Sequence, residues 1–238
     1  MRNGMKRFFA GTLAFMMMFA MTGCKANAQT LGAAEKEAMA PIEETVTPIE
    51  HVTDEKTGGW SAAEDTALTD DQRSLFERAL EGLLGVNYEP IAYLGSQVVA
   101  GLNHCFLCKA TVVYPGAQPT YKLVYIYEDL NGNTEVTDIV DLAGDGSEVL
   151  PGGWSIAEDA AMTEDVQAAF DKAMESLLGV DYEPVAVIGS QVVAGMNYKI
   201  LCRSTVVAPG AQPGYSLVTI YNALDSHAEV LEITDVTL

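Results

Sequence analysis

The chain repeats one pattern of apolar and polar positions, with the two copies 94 residues apart. In the first copy Phe76, Ala79, Leu80, Leu83 and Leu84 recur at helical spacing. That spacing lines one face of a helix of 3.6 residues per turn. Thr69 stands where an N-cap belongs, Gln72 follows at capping-box distance, and Gly85 ends the run. The period then shortens. Residues 91–99 and 102–113 are apolar and β-branched around Ala100-Gly101, which predicts a hairpin. Tyr88-Glu89-Pro90 is placed at the start of its first strand, where proline is tolerated. Pro115-Gly116-Ala117-Gln118-Pro119 forms a turn cluster. Residues 122–127 and 135–140 predict a second hairpin across Asn131-Gly132, a pair suited to a type I′ turn with positive φ at both positions.

The second copy carries the same helix positions as Thr163, Phe170, Ala173, Met174, Leu177, Leu178 and Gly179. Trp60 recurs as Trp154, Gln97 as Gln191, Cys108 as Cys202 and Tyr127 as Tyr221. Residues 58–142 align with 152–236 without a gap, so the folded part is a tandem duplication. Its boundaries are a first domain at 58–142, a linker at 143–151 and a second domain at 152–238. Helix first and strands after predicts the α+β class: in each domain, one helix packed on an antiparallel sheet of four to five strands.

The segment ahead of the repeat differs in kind. Arg2, Lys6 and Arg7 precede a short apolar stretch over residues 8–20, then Met21-Thr22-Gly23-Cys24. A basic head, an apolar middle and small residues before a cut mark an export signal. The last four residues resemble a bacterial lipobox. That resemblance implies cleavage after residue 23, lipidation of Cys24 and an extracytoplasmic, membrane-anchored protein. Residues 24–57 are rich in Ala, Glu, Thr and Pro without periodicity, and are expected to be a disordered spacer.

Composition removes several functions. Net charge is −20, from 33 acidic and 13 basic side chains among 238 residues, a balance that repels a phosphate backbone. No nucleic-acid partner is expected. His51, His104 and His227 show no metal-ligand spacing, so neither a metal nor another cofactor is expected. Cys105 and Cys108 have redox-motif spacing but lie in a predicted strand, where residues three apart point to opposite faces. The second copy has Lys199 in place of Cys105. His104 is adjacent to Cys105, and adjacent strand residues also point apart. The chain is therefore expected not to be an enzyme. Whether Cys105, Cys108 and Cys202 form a disulfide stays open.

The hairpin tips carry the distinctive chemistry. Gln97-Val98-Val99-Ala100-Gly101 and Gln191-Val192-Val193-Ala194-Gly195 resemble the Gln-x-Val-x-Gly signature of cystatins. Leu102-Asn103 and Met196-Asn197 follow them, as in the stefins. The resemblance implies two tandem cystatin-like domains and reversible inhibition of papain-like cysteine proteases. It also implies a wedge of three segments that fills the protease cleft. The first is a glycine-containing trunk, matched by Gly58-Gly59 and Gly152-Gly153. The second is the signature hairpin. The third is the later hairpin, near Leu130-Asn131-Gly132 and Leu224-Asp225-Ser226.

Leu150 lies just upstream of the second glycine pair, where copy one has Lys56-Thr57. Papain-like proteases favour an apolar side chain there, so copy two is expected to inhibit more strongly. Many cystatins carry a Pro-Trp pair in the later hairpin, and this chain has no tryptophan there; stefins lack it too. The alternative function is a non-inhibitory surface binding or adhesion module. Val98 and Val99 discriminate: facing their own core, they would deprive the wedge of its apolar edge. Trp60 and Trp154 either close the core or widen the wedge. The target protease, whether host, competitor or own, is left open.

Overall fold

The computed structural model describes residues 58–142 and 153–238. The first repeat runs β1 (Trp60–Ala62), α1 (Asp70–Leu80), β2 (Val86–Val99), β3 (Gly101–Val112), β4 (Thr120–Glu128) and β5 (Thr134–Asp141). The second runs β6 (Trp154–Ile156), α2 (Glu164–Met174), β7 (Val180–Val193), β8 (Gly195–Val206), β9 (Gly214–Ala223) and β10 (Ala228–Val236). Each repeat forms a five-stranded antiparallel sheet, in the order β1-β2-β3-β4-β5 and β10-β9-β8-β7-β6. A 14-residue β2 contains Pro90 because the register shifts between Pro90 and Ala92, a bulge that needs no ladder donor.

The expected class, two tandem α+β cystatin-like domains each built on a packed helix, is corrected. Among the described residues the structure is mostly β: two five-stranded sheets with two short helices, 13% helical. Both helices are shorter than their apolar spacing predicts. The apolar spacing ran to Leu84, but α1 stops at Leu80: Glu81 turns to extended ψ and Gly82 takes φ 86°. Leu84 and its counterpart Leu178 are each 93% exposed. The expected capping box forms: Thr69 Oγ1 accepts from Gln72 N and Gln72 Oε1 accepts from Thr69 N.

The largest apolar cluster lies between the sheets. Ala92, Leu94, Cys105, Leu107, Tyr121 and Leu123 of one meet Ala186, Ile188, Leu201, Tyr215 and Leu217 of the other. The opposite faces are covered as well. Phe76 of α1 meets Phe106, Cys108 and Val124, and Phe170 of α2 meets Ile200, Cys202 and Val218. Central strands buried on both sides show no alternation: His104 to Cys108 are buried without interruption. Hydrogen bonds cross between the repeats. Tyr215 Oη donates to Leu94 O at 2.7 Å, Tyr121 Oη to Ala157 O at 3.1 Å, Tyr125 Oη to Thr237 O at 3.4 Å, and Lys109 Nζ to Glu158 O at 3.2 Å.

Candidate functional site

In each repeat the topology brings three separated segments to one edge. The β2–β3 hairpin reverses at Ala100, between the paired Val99 and Gly101. The β4–β5 hairpin reverses at the same end, because β4 runs antiparallel to β3. The start of β1 arrives there too, with Trp60 opposite Gln97. Gln97 ties the trunk to the hairpin: its Nε2 donates to Gly58 O at 3.2 Å, and its Oε1 accepts from Asn103 Nδ2 at 2.7 Å. Tyr127 Oη donates to Ala100 O at 2.6 Å and fixes the tip to β4. In the second repeat Asn197 Nδ2 donates to Gln191 Oε1 at 2.6 Å and Tyr221 Oη donates to Ala194 O at 2.7 Å.

Gly101 and Gly195 are required by geometry. Both take positive φ, 136° and 137°, and a Cβ would run into the carbonyl oxygens of Glu128 and Asn222 respectively. The signature glycine thus lets two backbones approach closely.

The tips present apolar surface to solvent. Val99 and Val193 are each 43% exposed, Val192 is 78% exposed, and Ala100 and Ala194 are exposed, while Val98 is half-buried. Leu130 and Leu224 are 85% and 87% exposed. The turn beneath Leu130 departs from the expected type I′, since only Gly132 has positive φ. It is a three-residue loop instead, closed by Gly132 N to Asp129 O and Asp129 N to Asn133 O. The Asp129 carboxylate accepts from the backbone of Asn131 and Asn133 and from the Asn133 side chain. Those bonds, chiefly with Asn133, hold its pKa below the ordinary value. In copy two Ser226 takes the positive-φ position at 66°.

Gly58 and Gly153 are exposed and Gly59 is half-buried at these edges. Leu150, Gly152 and Cys24 lie outside the described residues, as do the segments expected to be an export signal, a spacer and a linker. Among the described residues no helix is long and apolar enough to cross a membrane. Trp60 follows the first reading: half-buried, it packs on Tyr125 at 5.6 Å and joins the inter-sheet core. Asn103 and Tyr127, which brace the tip, were not read as site residues. Their signal was available, because both recur in the second copy.

The remaining reactive groups are sequestered. Cys105, Cys108 and Cys202 are free, buried thiols. Burial pushes Cys105 and Cys202 up to about 12 and Cys108 well above its ordinary value. Cys105 faces the inter-sheet layer, while His104 bonds Tyr93 Oη at 3.0 Å and stands 3.5 Å from Glu128 Oε2. Among the described residues no group of three or more His, Cys, Asp or Glu side chains is placed to hold a metal ion. A groove of about 430 Å³ lined by Arg73, Phe76, Leu80 and Tyr88 lies at the base of β2, away from the edge. The chain matches no protein-family model and no curated protein.

Proposed function

We propose that each edge is a plug for the active-site cleft of a papain-like cysteine protease, and that the protein inhibits such enzymes reversibly from a lipid-anchored position outside the cell. One observation carries the reading: the Gln97 side chain ties trunk and hairpin together, with Val99, Ala100 and Leu130 exposed at the same edge. Exposed valines and leucines held by backbone hydrogen bonds lose little freedom on binding, so their desolvation goes largely into affinity. The plug brings no nucleophile, and binding does not need the protease thiolate. The Met21-Thr22-Gly23-Cys24 run supports the anchored location.

Copy two is the stronger plug in this reading. Val192 is 78% exposed where the matching Val98 is half-buried, and Leu150 precedes its trunk. The test is a titration of papain activity with the chain from Lys25 onward. Inhibition is expected, with Val192→Asp plus Leu224→Asp raising the main inhibition constant at least tenfold and Val99→Asp plus Leu130→Asp raising it less. Active papain at micromolar protein would overturn the reading and leave a non-inhibitory surface binding module in its place.

A further inference from the structure

Resting on that reading, we infer that one chain seats two protease molecules at once, because its two edges diverge. The direction of each edge follows from which levels of the sheets touch. Tyr215 pairs with Arg203, eight residues along β8 from Gly195, so it sits near the base of its sheet. Leu94 neighbours the Gly95–Cys105 pair, only four residues along β3 from Gly101, so it sits in the upper half of its own. At about 3.3 Å per strand residue these levels lie about 26 Å and about 13 Å from their respective tips. The hydrogen bond from Tyr215 Oη to Leu94 O brings those two levels together.

The contact is reciprocal. Tyr121, opposite Lys109 near the base of the first sheet, donates to Ala157 O. Ala157 follows β6 and bonds Ile188 O, in the upper half of the second sheet. Tyr125, higher on β4, reaches Thr237 O beyond the base end of β10. Base therefore meets upper half in both directions. With both tips at one end, base would meet base. The edges point away from each other, and the buried layer between the sheets fixes that relation. Two plugs held this way cannot enter one cleft together, so the copies add a second binding site rather than avidity for a single enzyme.

The two plugs also differ in what they offer. Edge one ends in Leu130-Asn131-Gly132 and edge two in Leu224-Asp225-Ser226, the latter with the more exposed hairpin valine. The two seats are filled in order, edge two first.

Native mass spectrometry of the full chain, released from detergent with excess papain alkylated at its catalytic cysteine, counts the occupants. The expected species is one chain with two papains. Val99→Asp plus Leu130→Asp reduces it to one papain, Val192→Asp plus Leu224→Asp does the same, and all four changes leave none. Saturation at one papain, with active papain still inhibited, overturns the two-seat inference and leaves the inhibitor standing. No complex together with no inhibition removes both.

Discussion

His104 is the residue at which the two copies part company most clearly. It is buried between Tyr93 on β2 and Glu128 on β4, and Glu128 also meets Arg78 of α1 at 3.6 Å. The second copy has Val187, Tyr198, Asn222 and Lys172 at the four matching positions. Burial lowers the His104 pKa from 6.5, and the attraction of Glu128 opposes this without overcoming it. The folded protein thus binds this proton less readily than the unfolded chain does. Stability from this site is complete above about pH 6.5 and declines as pH falls through that value toward the depressed folded pKa. Denaturant midpoints measured from pH 8 to pH 5 should fall for the native sequence and fall less for His104→Tyr, the residue copy two uses. An unchanged slope in the variant would assign the pH dependence elsewhere.

Among the elements, the hairpins were legible and the helix ends were not. Residues 91–99 and 102–113 announced β2 and β3 because β-branched side chains flank a glycine that the turn needs. β1 was missed, since Trp-Ser-Ala is too short to alternate and is a strand only by pairing with Gln97, Ser96 and Gly95. The signature residues were legible as a string, but their clamp through Asn103 and Tyr127 depends on distances that sequence does not contain. Leu83 and Leu84 misled because apolar spacing does not register the break at Gly82, and Leu177 and Leu178 repeat the error. That difference is measurable. In a helix reaching Gly85 and Gly179, Leu84 and Leu178 would be core, and Asp at either would cost several kcal/mol. As they stand, 93% exposed, Leu84→Asp and Leu178→Asp should each change unfolding free energy by no more than about 0.5 kcal/mol.

At the scale of the molecule, the inter-sheet layer decides how it unfolds. An apolar face that packs against a second sheet in the native state would be open to water if one repeat came apart alone. Opening the Leu94, Leu107, Ile188 and Leu201 surfaces costs about 25 cal/mol for each Å² exposed, and both repeats would bear it. The bonds from Tyr215 to Leu94 and from Tyr121 to Ala157 would break in the same event. Neither repeat has a low-energy way to unfold while its partner stays native, so the two should melt as one cooperative unit. Three thiols report on the three layers: Cys105 between the sheets, Cys108 under α1 and Cys202 under α2. Burial and raised pKa values keep all three unreactive in the native state. Pulse alkylation across a denaturant series, read by peptide mass, should give three labelling curves with one midpoint. A Cys202 curve shifted from that of Cys108 would mean that each repeat is stable without the other and that the shared layer is a weak contact. Coincident curves would make the rigid relation between the two edges a property of the fold itself.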